Sequence, residues 1–498
     1  MNTKNKLLIA TLLLISSLTS TGTVCENVAE KENVSFEVMK QEINEKSLPL
    51  VNINVNIESV TKADYTQATI EIVDLQKRTD GENVSTTMPC KVKYRGASSL
   101  AYDKKSFAVK LLDEKGKSLD ATILGIRKDD AWILDAMAVD RIRMRNRLNF
   151  DIWNVMSQTP YATKNSQRNG TKGEFVELFI NNEYHGLYCM SDKVNRKLLE
   201  VTKFKEDKDN GVTINGVIYK CGQWGDGAAL RGYDDTQSME STSWNCWELD
   251  YPDDYPCAEA YTPLKELIDF CAQTSDKDFK EGFNKHFYLQ NFIDYHLFIC
   301  SFGLWDNTMK NSFLSIVNTN NDKQQALITP WDLDCSLGGS WNGDRSEGLY
   351  TPENMLNVKP YGRMWNGDID GYRQKVAERW KELYNGILSE QEFNQRIESY
   401  CERIVNSGAW EREYNKWNNN PVELKADLKD EVDYVKDWYK SNINNLESKY
   451  FGNIESDITN INMQRAKNTR SIHNLAGQRV SENYKGMVIT DGRVIVKK

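Results

Sequence analysis

Trp305-Asp306-Asn307-Thr308-Met309-Lys310-Asn311 leads into Ser312–Val317, and Gln325–Ile328 leads into Pro330-Trp331-Asp332-Leu333-Asp334. The stretch before it is an apolar helix pattern, Leu289, Phe292, Ile293, Leu297 and Cys300, predicted to run over 285–302 and stop at Gly303. After Asn311 come a strand pattern, a polar turn at Asn318–Lys323 and a returning strand. A hairpin brings its far end back to its near end, so Asn311 and Asp332 are expected side by side. The predicted cluster is Asp306, Asn311, Asp332 and Asp334.

Hard oxygen ligands on short loops suit Mg²⁺, which takes one or two carboxylates, keeps several waters and shares substrate phosphates. The order helix, Asp-x4-Asn, hairpin, Asp is the one protein kinases use to orient an acceptor hydroxyl and hold metal. Phosphoryl transfer asks for positioning and charge neutralisation, so few groups suffice. Two plainer readings stay open at this point. Asp and Asn beside strand ends cap and turn the chain, and a calcium site competes, although no D-x-D-x-D-G loop occurs.

A phosphate cradle is also needed. No G-x-x-x-x-G-K-[ST] and no G-x-G-x-x-G is present. Tyr94-Arg95-Gly96-Ala97-Ser98-Ser99 lies between two predicted strands, and Lys104-Lys105-Ser106-Phe107-Ala108-Val109-Lys110 enters the second. Small residues there could cover phosphates and a Lys could supply an ammonium; an ordinary hairpin with solvated lysines has the same pattern.

Alternation at Val51, Ile53, Val55 and Ile57, then Ala68, Ile70 and Ile72, predicts a β-rich unit from about Leu48 to Leu112. Met144, Leu148, Ile152 and Val155 predict a helix within 130–158, and Phe175–Ile180 with Tyr184–Met190 a hairpin around Asn181-Asn182-Glu183. Residues 203–260 show no clear period. Thr262-Pro263 reads as a helix start before Leu264, Leu267, Ile268 and Cys271, and 371–449 as amphipathic helices. The last thirty residues return to short strands. They carry Arg479, Lys485, Arg493, Lys497 and Lys498 against Glu482 and Asp491, unlike the acidic body.

The whole chain of 498 residues has a net charge of −9, which argues against a dedicated nucleic-acid binder. Four His leave little room for a His-rich zinc site or a His-based triad. Ten single Cys form no CxxC; Cys271 and Cys300 read as buried small hydrophobes. Lys4 and Lys6 before the apolar Leu7–Leu18 read as an export signal, since a span needs about 20 residues. Cleavage is expected near Thr23. Lipidation at Cys25 is the lesser expectation, because Val24 is larger than the small residue such signals carry.

In these landmarks the sequence resembles the spore-coat protein H (CotH) kinase family. They run in order: Arg95-Gly96 with Ser98-Ser99; Lys104-Lys105-Ser106; Trp132 to Asp140 with Met144-Arg145-Asn146; Phe175-Val176-Glu177-Leu178 with Gly186-Leu187-Tyr188; Asp306 with Asn311; and Trp331-Asp332 with Asp334. Arg379-Trp380 matches the family's helical tail. The resemblance implies an atypical Ser/Thr protein kinase that uses ATP and Mg²⁺ or Mn²⁺ on a protein acceptor. It implies Asp306 as catalytic Asp, Asn311 and Asp332 as metal ligands, Lys105 on the ATP phosphates, and Arg95, Ser98 and Lys193 as further cofactor contacts. Asp151 is the candidate acidic partner of Lys105. The sequence departs from the family pattern at Ala97 and at Asp192.

The expected fold is α+β: a kinase-like, two-lobed body with a β-rich small lobe, a largely helical large lobe and a small C-terminal β tail. The expected divisions are a signal peptide over 1–23, a linker over 24–46, the kinase-like body over 47–415 split near 200, a helical extension over 416–470 and an attachment tail over 471–498. Ile472–Val480 with Lys485-Gly486 is similar to tails of exported proteins of Bacteroides-like bacteria, implying secretion or surface attachment, with envelope or polysaccharide association and no transmembrane span. The competing reading is an inactive surface module that binds carbohydrate or protein through its 13 Trp and 23 Tyr.

Overall fold

The computed structural model describes residues 34–74, 84–161, 168–206, 211–320 and 324–454, with the strands of a terminal sheet between 472 and 497. The export segment and Cys25 lie outside the described residues.

Seven strands close into a barrel: β1 (Leu50–Asn54), β2 (Thr66–Asp74), β3 (Val84–Arg95), β4 (Ser106–Leu111), β5 (Ala131–Asp135), β6 (Gly173–Ile180) and β7 (Glu183–Asp192). Their order is β1-β2-β3-β4-β5-β7-β6, and the parallel pairing of β1 with β6 closes the circle. Alternation along each strand sends every second residue inward. Cys90, Val92, Phe107, Val109, Leu134 and Val176 fill the interior, which leaves Lys91, Lys93 and Arg95 of β3 on the outer face. The β6–β7 turn is Asn181-Asn182, both left-handed, as the hairpin signal predicts.

The stretch expected to be a linker contains a helix, α1 (Phe36–Glu42). Seven residues are too few to hold a helix by propensity. Burial of Phe36 against Phe179, their ring centres 5.4 Å apart, docks it on the barrel's outside, a contribution of roughly 2 kcal/mol.

A second sheet follows the barrel. Its strands β10 (Val217–Cys221), β11 (Ser243–Trp244), β12 (Trp247–Tyr251), β13 (Ser312–Ile316) and β14 (Ala326–Pro330) lie in the order β11-β12-β10-β13-β14. The short pair β8 (Lys205–Glu206) and β9 (Val212–Thr213) precedes it. The helices are α2 (Arg145–Met156), α3 (Ala258–Gln273), α4 (Asp276–His286), α5 (Leu289–Phe302), α6 (Lys359–Gly367), α7 (Tyr372–Tyr384), α8 (Glu390–Asn406), α9 (Ala409–Trp417) and α10 (Leu428–Lys449); α5 packs on β14 of this sheet, α10 on α5 and α8, and α9 on β7 of the barrel. The last thirty residues contribute a four-stranded sheet, β15 (Ile472–Asn474), β16 (Arg479–Val480), β17 (Gly486–Thr490) and β18 (Arg493–Lys497).

Three expectations are corrected. Helix α3 begins at Ala258, with Pro263 inside its second turn rather than at its start. The helix expected over 285–302 is two, parted where Phe287 and Tyr288 turn extended. Residues 416–470 are not a separate extension over their helical part. Asn442 of α10 donates to the carbonyls of Cys300 and Ser301 (both 3.0 Å) and so satisfies the end of α5. The nine cysteines among the described residues are free, and Cys271 and Cys300 are buried. No helix of the described residues is long and apolar enough to cross a membrane.

Gly303 ends α5 in the left-handed conformation, φ +60°. A Cβ there would meet Trp438 Cη2 at 2.6 Å. Gly303→Ala is therefore expected to destabilise the protein by about 2 kcal/mol, read as a lower melting temperature, since the backbone and the packing both object.

Candidate active site

Helix α5 ends at Gly303 and hands the chain to a 3₁₀ turn, Trp305–Asn307, that presents Asp306. Asn311 stands immediately before β13, and β14 returns so that Ser312 pairs with Pro330. The Trp331 N–H donates to the Asn311 carbonyl at 2.9 Å. The hairpin thus carries Asn311 and Asp332 to the same sheet end. Both are left-handed, φ +54° and +57°, a conformation that Asn and Asp tolerate better than other side chains.

Asn311 Nδ2 donates to Asp306 Oδ2 at 2.8 Å. That bond fixes the side-chain amide and leaves Asn311 Oδ1 available as a hard donor. Lys310 Nζ lies 3.0 Å from the same Asp306 oxygen and 5.8 Å from the Trp224 ring centre. Among the described residues, neither Asp332 nor Asp334 has an ion-pair partner within 4 Å, while other carboxylates act on both. Asp332 is reached by solvent, yet the hydration its carboxyl loses to the surrounding protein pushes it above the ordinary range. Asp135 and Asp306 push the same way; Arg95 opposes them. Asp334 is pushed well up, first by burial and then by Asp332, Asp135 and Asp140. Asp135 is tied in by Asn146, which donates to Asp135 Oδ2 at 2.8 Å and accepts the Leu333 N–H at 3.1 Å. Uncompensated carboxylates beside a free amide oxygen are a donor set that fits a hard divalent cation.

The barrel brings its cations to this edge. The Arg95 guanidinium lies 5.2 Å from the Trp331 ring centre. On the same outer face Lys91, Lys93 and Lys110 gather over Tyr65, at 5.2, 4.8 and 5.9 Å from its ring centre. Lys193 pairs with Asp250 at 3.3 Å; burial works against its ammonium, but Asp250 and Asp253 outweigh that and raise its pKa. Asp192 points elsewhere, to Arg127 (2.7 Å), Arg168 (3.1 Å) and the Lys172 N–H (2.8 Å).

Lys105 is not brought to the carboxylates. Its ammonium donates to the Leu100 and Tyr102 carbonyls at 2.9 and 2.7 Å and braces the loop that holds Ser98, which is exposed. Asp151 is not its partner: it pairs with Arg147 at 2.7 Å and accepts from Tyr400. The buried Lys–carboxylate pair is instead Lys104 with Glu413, 2.6 Å apart. Sequence reasoning missed it, because nothing local marks Glu413 as a partner across 309 residues. The Lys91-x-Lys93-x-Arg95 alternation was the available signal for a cationic strand face. A further acidic group, Asp120, Asp129 and Asp130, already has its cation: Lys197 reaches all three, at 2.5, 3.3 and 3.1 Å.

A cleft of about 610 Å³ is lined by polar side chains that include Gln223, the chain neighbour of Trp224, with Asp226, Asp234, Gln237, Asn245 and Glu248. No curated protein gives a significant match to the chain. The family model described as CotH kinase protein matches residues 92–446, a span that runs from β3 almost to the end of α10 and takes in both the cationic strand face and the Asp306–Asp332 hairpin. The chain therefore belongs to the CotH kinase family.

Proposed function

We propose that this kinase-family chain transfers the γ-phosphoryl group of ATP to Ser or Thr hydroxyls of a protein acceptor, with Mg²⁺ or Mn²⁺, on the secreted or surface side of the cell. One observation carries the reading: the hairpin sets Asn311 Oδ1 and the Asp332 carboxylate, which has no ion-pair partner among the described residues, beside Asp306. Asn311 and Asp332 would hold the cation, with Asp334 behind them. Bound there, the cation would neutralise phosphate charge.

The chain's own groups divide the remaining work. Asp306 has Oδ2 occupied by Asn311 and Lys310, which leaves Oδ1 to accept the acceptor's hydroxyl proton. Arg95, with Lys93 and Lys193 on the same side, would hold phosphate oxygens. Ser98 and the loop that Lys105 braces would cover them. In this reading the barrel and the helical part are the two walls of a kinase-like cleft, and the terminal sheet serves surface attachment.

The test is purified protein with labelled ATP, Mg²⁺ or Mn²⁺, and a protein acceptor. Transfer that disappears in Asp306→Ala is expected; no transfer by the wild type would overturn the reading. Mg·ATP is also expected to raise the melting temperature. Saturation at about 100 times Kd stabilises the native state by roughly 2.7 kcal/mol.

The exposed Trp224 (49%), next in the chain to Gln223 of the polar cleft, favours one other reading, a surface module that binds polysaccharide without turnover. A melting temperature that ignores Mg·ATP and rises with polysaccharide would decide for it.

A further inference from the structure

We propose that Asn307 is a positioning residue that fixes the distance between Asn311 and Asp332, and so makes the site selective for a small octahedral cation. The inference rests on the function proposed above. Asn307 is 1% exposed and follows Asp306 directly. Its Nδ2 donates to the Asn311 carbonyl at 2.9 Å and to the Trp331 carbonyl at 2.6 Å. Both acceptors are carbonyl oxygens, so only the NH₂ group fits between them. The backbone carbonyl of Asn307 accepts from the buried Tyr295 hydroxyl of α5 at 2.7 Å. One side chain thus ties the turn to both arms of the hairpin, and α5 holds the tie from below.

The position of that tie matters. The ladder between β13 and β14 ends at Ser312 and Pro330. Asn311 and Asp332 lie just beyond it, where the Trp331 N–H bond and the Asn307 amide join the two arms. Both residues are left-handed, a conformation that Asn and Asp adopt more readily than other side chains and that aims both side chains off the end of the ladder. Without the amide only the Trp331 N–H bond joins the two arms beyond the ladder, and the spacing of the two ligand-bearing residues is less tightly held. Mg²⁺ demands near-ideal octahedral geometry at about 2.0–2.1 Å, whereas Ca²⁺ accepts flexible geometry at about 2.3–2.6 Å. A loosened pair therefore loses Mg²⁺ first.

The experiment measures cation affinity rather than turnover. Wild type and Asn307→Asp are titrated with MgCl₂ and with CaCl₂ by thermal shift, at a fixed concentration of a non-hydrolysable ATP analogue. The carboxylate would face two carbonyl oxygens and donate to neither. Groups that orient metal ligands typically carry about 10–100-fold in affinity. The expected result is a loss of that size for Mg²⁺, a much smaller loss for Ca²⁺, and a lower melting temperature without cation, because a buried carboxylate that faces carbonyl oxygens is costly. Equal losses for the two cations, or none, would overturn the proposal. A wild type that responds to neither cation would instead overturn the function on which it rests. If Asn307→Asp gives no cooperative melt, Tyr295→Phe decides. It releases the same tie from below and must move the Mg²⁺/Ca²⁺ ratio in the same direction; an unmoved ratio overturns the proposal.

Discussion

Asp332→Asn is expected to lower phosphotransfer by about 10³-fold or more, the equivalent of roughly 4 kcal/mol at the transition state, and to leave the protein folded. The amide keeps the shape of the side chain and its left-handed backbone, since Asn is at ease at φ +57°. It removes one negative charge from a place where Asp135 and Asp306 act on Asp332, Asp332 acts on Asp334, and the opposing charge is Arg95, with Lys220 behind it. The cation-free variant should therefore melt no lower than the wild type, and somewhat higher if the repulsion dominates. The same change removes a ligand, so the thermal response to Mg·ATP should vanish. Asp306→Asn separates the two jobs: turnover is lost and the response to Mg·ATP remains, because Asp306 is assigned to the acceptor hydroxyl. The measurements are labelled-ATP turnover and melts with and without Mg·ATP. Full turnover in Asp332→Asn would remove the residue from the mechanism. A collapse of its cation-free melting temperature would make it a structural residue.

The hairpin was legible because its information is local. Antiparallel pairing needs only two strand patterns and a turn, and it returns Asn311 to Asp332 whatever the rest of the chain does. The stop at Gly303 and the Asn181-Asn182 turn were legible for the same reason. What depended on distant partners was not. The parallel closure of β1 on β6 spans more than a hundred residues and leaves no mark on either strand. Lys104 and Lys105 are adjacent and chemically identical, and only packing against α9 decides that the first is buried and the second braces a loop. Helix α1 is too short to announce itself, and α10 reads as a detached amphipathic helix until Asn442 is seen closing α5. At the site itself Asn307 escaped notice. Its neighbour Asp306 carried the recognisable spacing, while the work of Asn307 is done on backbone carbonyls that no motif records.

Glu413→Gln is expected to cost about 3–5 kcal/mol, a large share of a typical domain's 5–15 kcal/mol, whereas Lys104→Met should cost about 1 kcal/mol or less. One carboxylate serves two cations here. Glu413 Oε1 lies 2.6 Å from Lys104 Nζ and 2.8 Å from Arg143 Nε, and all three side chains are 0% exposed. Burial opposes the carboxylate's charge, but Lys104 and Arg143 together hold its pKa below the ordinary range. Without it two buried cations face each other unpaired. Without Lys104, Arg143 and Glu413 remain a matched pair, and Met lies against the Tyr188 ring where the ammonium now sits 4.8 Å from the ring centre. The two substitutions also differ in pH dependence. Burial lowers Lys104 to about 7, Arg143 acts in the same direction, and Glu413 opposes them. Below pH 7 both folded and unfolded chains hold this proton, so the cost of burying the ammonium is fully present. Between about 7 and the unfolded value near 10.4 the folded chain gives it up first, and stability from this group rises with pH. Urea midpoints at pH 6 and pH 9 read that slope, which Lys104→Met should flatten. A Glu413→Gln midpoint close to wild type, or an undiminished slope in Lys104→Met, would refute the assignment. The cluster matters to the site because it pins the chain between Arg95 and β4: Lys104 also donates to the Leu187 carbonyl at 2.7 Å, and Glu413 accepts the Leu187 N–H at 2.8 Å. Loosening it should therefore weaken the response to Mg·ATP even where the protein still folds.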